Sequence, residues 1–417
     1  MTQWNPVWLI EIDGVEYTDA VLANLTIRTG RTNIYEQAQA GYVNLQVLDV
    51  NQTAVPVSIN STIGVSIKDS TNTFVPIFGG NVVDIGLEVR DVGSTMFTQT
   101  YNITALGALA RLPKFIFTDA LPRDYDGDQI FDVLQEILLS QWQSVPGALT
   151  WATYDPTITW ANAGNTGLGE IDRPGNYDLA ARGGGSDPID AYSLVAALAT
   201  SGLGYIYEDA QGRIGYADST HRTTYLATNG YVDLDANQAR AAGLRIETRV
   251  GDVRNAITIK YGANSTNDVS ASDAASIATY GNLAQIITTT LHDAADANAQ
   301  AAFYLSLRAN PQPIFSQITF DLTNPELDNS DRDNLIGVFM GEAIALTNLP
   351  LNMSSGAFQG FVEGWSFQAS YNQLSITLLL SPLAYSLQAM AWNEVPITEM
   401  WSSVSPTLDW ENATIVA

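Results

Sequence analysis

Residues 121–136 read LPRDYDGDQIFDVLQE, and aspartates 124, 126 and 128, alternating around Gly127, supply the kind of oxygen cluster that opens a calcium loop. Such a loop needs glycine at its sixth position, for a sharp turn, and a bidentate glutamate at its twelfth. Counted from Asp124, those positions hold Gln129 and Gln135. The pattern fails twice, and no metal site is expected here. The residues after the turn point instead to a helix, because Ile130, Leu134, Ile137 and Leu138 fall on one stripe at helical spacing. Asp128 is then the natural N-cap, with Asp124 and Asp126 near the positive end of the helix dipole.

Other chemistry finds less support. The only histidines are His221, in the polar stretch STHRTT, and His292, at a helix start, and both are expected to be solvated. No G-x-S-x-G elbow offers a nucleophile. The glycine clusters at 79–80 and 183–185 lack a phosphate-loop lysine and do not lead from a strand into a helix, so they read as turns. Carboxylates are so abundant that no acid and base pair of a glycosidase stands out. With no cysteine, disulfides, thiolate metal sites and thiol catalysis are excluded. The expectation is a protein that is not an enzyme, with no catalytic residues and no cofactor.

The chain that must position these residues is long. Its 417 residues suggest two or three domains. An apolar fraction of 46% with 15% charged residues argues for a packed chain rather than a disordered tail or coiled coil. No run reaches the roughly 18 apolar residues of a membrane span, and MTQWNPVWLIEIDG has no basic region ahead of its apolar residues, so it does not read as a secretory signal. There are 44 acids against 18 bases, and the lysines are only Lys68, Lys114 and Lys260. A net charge of -26 repels nucleic-acid phosphates, and it suits either plain solubility or a surface past which DNA slides without sticking.

Four parts are expected. Residues 1–112 read almost wholly as strands. WLIEIDGVEY is a hairpin turning at Asp13-Gly14. GYVNLQVLD alternates Val43, Leu45 and Val47 with Asn44 and Gln46, and NVVDIGLEVR alternates Val83, Ile85, Leu87 and Val89 with Asp84 and Glu88, so each strand should have one core face and one wet face. Residues 113–240 form an inserted α+β segment with long loops. There DAYSLVAALATSGLGYIYEDAQGRIGYAD reads as a helix, ended at Gly202 and Gly204, followed by a hairpin turning at Gln211-Gly212. Residues 241–385 return to alternating strands, RNAITIKYG, QITFDLT and QLSITLLL, interrupted by the alanine-rich helix HDAADANAQAAFYLSLRANP. Residues 386–417 are expected to be an extended arm in which Trp392, Trp401 and Trp410 recur every nine residues with prolines between them. The fold class is therefore mainly β with α insertions: two antiparallel β-barrel-like domains, an inserted α+β segment and a C-terminal arm.

A family likeness lies in the order of these stretches. LTIRTGR, GYVNLQVLD and PIFGGNVVDI, then YEDAQGRIGYAD, VRNAITIKYG, SDAASIATYG and FVEGWSFQASYNQLSITLLLSP, together resemble the tail hub proteins of tailed bacteriophages over roughly residues 7–385. The resemblance implies a homotrimeric ring with pseudo-sixfold symmetry at the distal end of a virion tail, assembled in the host cytoplasm. It also implies distal tail protein, tape measure protein and tail fibre or tip proteins as partners, and genomic DNA passing through an acidic lumen during ejection. Some relatives carry a wall-degrading or sugar-binding domain, and the chain ends soon after the second β-rich part, so neither activity is expected here. The expected interface residues are Trp392, Trp401 and Trp410 as anchors, and Arg31 and Arg254 as orienters of loops or neighbours, with an intrachain salt bridge as the plainer role of either arginine. The competing functions are a host-surface glycan-binding protein using its nine tryptophans, or a glycan-degrading tail enzyme.

Overall fold

The computed structural model describes residues 4–17, 21–49, 55–89, 99–137, 169–185, 188–239, 246–312, 314–315, 317–353, 356–370, 373–383, 389–390 and 415–416. Seven strands come first: β1 (Trp8–Ile12), β2 (Val15–Tyr17), β3 (Val21–Gly30), β4 (Gln39–Asp49), β5 (Thr62–Lys68), β6 (Phe74–Val89) and β7 (Gln99–Leu106). The inserted segment carries short strands β8 (Ile116–Phe117) and β9 (Asp124–Tyr125), helix α1 (Asp126–Glu136), β10 (Asp178–Leu179), β11 (Ile189–Asp190) and α2 (Ala191–Ser201). It continues with β12 (Tyr205–Glu208), β13 (Ile214–Ala217), α3 (His221–Asn229) and β14 (Val232–Asp235). Next come β15 (Ile246–Glu247), β16 (Ala256–Tyr261), β17 (Asn267–Ser272), α4 (Ala274–Tyr280), β18 (Ala284–Thr288) and α5 (Ala294–Arg308). The last described elements are β19 (Ile314–Phe315), β20 (Gln317–Asp321), α6 (Asn329–Ile336), β21 (Ala343–Thr347), β22 (Phe358–Ser370), β23 (Gln373–Pro382), β24 (Ala389–Met390) and β25 (Ile415–Val416). The protein is mainly β with α insertions, as its strand periodicity implies.

Twelve strands share one sheet in the order β14-β21-β22-β3-β4-β7-β6-β5-β1-β2, with β23 beside β22 and β20 beside β23. It is mixed, because β14 runs parallel to β21. The strands foreseen in two separate β-rich parts therefore meet edge to edge, where β3 pairs with β22 from Asn24↔Ser370 to Gly30↔Gly364. Among the described residues one large apolar cluster runs through Ile10, Leu45, Ile206, Phe320 and Leu378, so all three β-bearing parts contribute to it, and a smaller one gathers Ala343, Phe361 and Leu383.

Local sequence accounts for much of this. Asp13 and Gly14 both adopt positive φ (49° and 78°), the geometry a two-residue hairpin between right-twisted strands requires. Val43, Leu45 and Val47 are buried as their alternation demands. In β6 the expected core face holds only in part: Ile85 packs against the core, but Val83 is 41% exposed and Leu87 56%, while Val82 is buried. An irregularity between Val82 and Asp84 in the pairing with β7 leaves Val83 outside the alternation, which resumes at Ile85, packed on the core opposite Ile103. Of the arm expected over 386–417, only β24 and β25, paired antiparallel, lie within the described residues. Among the described residues no helix is long and apolar enough to cross a membrane.

Candidate functional site

The polar residues that matter most are those the fold buries. Glu363 interrupts an apolar run, FVEGW, and sits where the pairing of β22 with β23 shifts between Val362 and Gly364. A bulge re-aims a side chain that regular alternation would send elsewhere. At the same point β22 exchanges one neighbour for another, since its residues 358–361 pair with β21 and its residues from Gly364 onward pair with β3. The crossing is close. Gly30 has φ of 91°, a Cβ on it would lie 2.4 Å from the Glu363 carbonyl oxygen, and Arg31 N donates to that same oxygen at 2.8 Å.

The Glu363 carboxylate is 1% exposed and accepts four hydrogen bonds on its two oxygens. Arg222 binds it in a fork, with Nη1 donating to Oε1 at 2.8 Å and Nη2 to Oε2 at 2.9 Å. Arg31 Nε donates to Oε2 at 2.6 Å, and Ser381 Oγ to Oε1 at 2.5 Å. The Tyr205 ring lies under both guanidiniums, at 4.8 Å from Arg222 and 5.1 Å from Arg31. Burial alone would push the Glu363 carboxyl up, but Arg222 and Arg31 overcome it and hold the carboxyl down at about 2. The cluster is thus an ionised knot tying the loop after β3, the inserted segment through β12 and α3, and the β22–β23 pair.

Two further buried carboxylates fasten the inserted segment. Glu208, at the end of β12, accepts Gly41 N at 2.6 Å and Leu109 N at 2.5 Å, joining β12 to the start of β4 and to the 3-10 turn Ala108–Lys114. Burial raises its carboxyl to about 7 although both backbone N–H groups lower it. Asp126 is fully buried; its Oδ1 accepts Asn176 N at 2.8 Å and Tyr177 N at 2.7 Å, and its Oδ2 accepts the Tyr216 hydroxyl. Burial raises this carboxyl to about 6, against the Tyr216 hydrogen bond.

The aspartate turn therefore differs from its sequence reading. Helix α1 begins at Asp126, three residues early, with Tyr125 at its N-cap and no side-chain cap bond. Asp128 does not cap. It lies in the first turn, near the positive end of the dipole, and pairs with Arg173 at 2.5 Å. Tertiary partners of Asp126 fix the helix start and override local capping. His221, expected in solvent, is 6% exposed and opens α3, with Nδ1 2.6 Å from Asp172 Oδ2.

Arg31 and Arg254, foreseen as orienters, are found inside their own chain. Arg31 is buried in the Glu363 cluster and also donates from Nη1 to the Glu36 carbonyl at 3.0 Å. Arg254 donates from Nη1 to the carbonyls of Gly251 and Val253, at 2.6 and 2.7 Å, and so clamps the turn before β16. Trp392, Trp401 and Trp410 lie outside the described residues. Sequence reading missed Glu363, Arg222, Glu208 and the buried role of Asp126. The usable signal was an acid embedded in an apolar run beside glycine, as in FVEGW, or beside tyrosines, as in YIYED.

No protein-family model matches the chain, and no curated protein matches it. Among solved structures it is similar to the tail protein from Neisseria meningitidis MC58, with a TM-score of 0.55 and 11% identity, covering 92% of this chain and 98% of that one. It is also similar to the 43 kDa tail protein of prophage MuSo2 from Shewanella oneidensis, with a TM-score of 0.54 and 11% identity, covering 91% of this chain and 99% of that one. At 11% identity what is shared is the fold, over 92% and 91% of this chain.

Proposed function

From a fold shared with two tail proteins, we propose that this chain is a structural component of a phage tail, acting as a hub. Three copies close a ring at the distal end of the tail, join the tube to distal tail, tape measure and fibre or tip proteins, and leave a lumen through which DNA passes during ejection. The observation that carries this reading is the extent of the likeness, 92% of this chain against 98% of its counterpart. The charge supports it. A net charge of -26 gives a ring wall that repels phosphate and lets DNA slide. The buried Glu363 cluster also fits a part held under mechanical stress, because it fixes three stretches of chain at one point.

Electron microscopy of assembled particles, with antibody-labelled or tagged protein, tests the reading. Three copies around the tail axis at the tip are expected, with a net negative inner wall. Copies at the head or along the tube, or a lumen lined mainly by arginines, would overturn it.

A further inference from the structure

We propose that Glu170, Asp172 and His221 form a binding site for one first-row divalent cation of the Zn²⁺ or Mn²⁺ type. The three side chains each present a ligand atom, all within 4.8 Å of one another. Their chemistry, two carboxylate oxygens and one imidazole nitrogen, suits such ions better than Ca²⁺, which favours a shell made of oxygen alone.

The framework holds these donors in place before any ion arrives. Residues 169–172 run beside β13, with Gly169 N donating to the Ile214 carbonyl, Tyr216 N to the Glu170 carbonyl and Asp172 N to the Tyr216 carbonyl, at 2.9, 2.9 and 3.0 Å. In such an extended stretch residues i and i+2 share a face, so Glu170 and Asp172 point the same way while Ile171 enters the core. His221 is delivered by the first turn of α3. Asp218 N donates to Asp172 Oδ2 at 3.0 Å, a backbone contact that orients the carboxylate as outer-shell partners do around bound ions.

Burial and access complete the case. Glu170 is 5% and His221 6% exposed, so two of the three donors sit in a poorly hydrated place. The Asp172 side chain keeps 20% exposure, which gives the ion a path and leaves a coordination position to water.

The full chain is stripped with chelator, dialysed and titrated by calorimetry with ZnCl₂, MnCl₂ and CaCl₂ separately. One equivalent of Zn²⁺ or Mn²⁺ is expected, no stoichiometric heat with Ca²⁺, and a higher melting temperature in the ion that binds. Glu170→Gln and Asp172→Asn should each weaken binding at least about tenfold and remove the thermal shift. Asp124→Asn, in the aspartate turn, should change neither. Absence of stoichiometric Zn²⁺ and Mn²⁺ binding overturns the proposal, and so does undiminished binding by Glu170→Gln, whose folding is checked by circular dichroism. Should Asp172→Asn fail to fold, Glu170→Gln alone decides.

Discussion

Glu363 uses both carboxylate oxygens twice over, which is the full acceptor capacity of an ionised carboxyl. Removing its charge strands two buried guanidiniums. Glu363→Gln is therefore expected to destabilise the chain by about 3–5 kcal/mol in urea unfolding, the range found when one partner of a buried ion pair is lost. A loss under about 1 kcal/mol would mean that water or backbone replaces the carboxylate. The acid limb checks the same residue. Its folded carboxyl is held at about 2, below an unfolded value of about 4.3, so its stabilisation is present above the unfolded value and disappears as pH falls through the folded one. The wild type should lose more stability than Glu363→Gln between about pH 4 and 2. Arg31 was singled out in the sequence only as an orienter of loops or neighbours, because its partner is 332 residues away and no local pattern pairs them. The same holds for His221 and Asp172, which look like separate polar loops until β13 brings them together.

Among the elements, β3 and β22 cross where neither tolerates a side chain. Gly30 needs positive φ and also has the Glu363 carbonyl oxygen 2.4 Å from where a Cβ would stand. Gly14 has positive φ of 78° but nothing within 4 Å. Comparison of Gly30→Ala with Gly14→Ala thus separates the two costs. About 1 kcal/mol is expected at Gly14, from backbone conformation alone, and at least about 2 kcal/mol at Gly30, where strands must also part. Equal losses in chemical denaturation would show that the crossing relaxes freely. Elements set by local chemistry were legible in the sequence: the Asp13-Gly14 hairpin, β4, α2 with its Asp190 cap, and α5 capped by Asp293 and followed by Pro311. Those set by distant partners were not. The irregularity at Val82 depends on β7, and the start of α1 depends on Asn176, Tyr177 and Tyr216, so alternation and capping rules misplaced both.

For the whole molecule, charge and burial combine into a pH dependence. Burial raises Asp126 to about 6, Glu208 to about 7 and Glu342 to about 8. Raised folded values mean that the folded state keeps protons the unfolded chain has released, so the stability they lend is complete below about pH 4 and is lost as pH rises through those folded values. The melting temperature is expected to fall between about pH 5 and 8, in the direction in which a chain already at -26 gains further repulsion. Glu208→Gln should flatten that decline in calorimetric scans, and an unchanged slope would remove Glu208 from the account. The pairing of β3 with β22 has one more consequence, for the order of synthesis. On the ribosome β3 emerges hundreds of residues before the strand that covers its second edge, leaving Leu25, Ile27 and a row of open backbone groups on a nascent chain that cannot yet close its sheet. Such a chain depends on holdase chaperones or fast translation to avoid sticking to its own kind. A fragment ending at Met353 should accordingly aggregate in light-scattering assays and be rescued by adding residues 356–383, and a soluble monomeric fragment would show that β3 has another way to protect its edge.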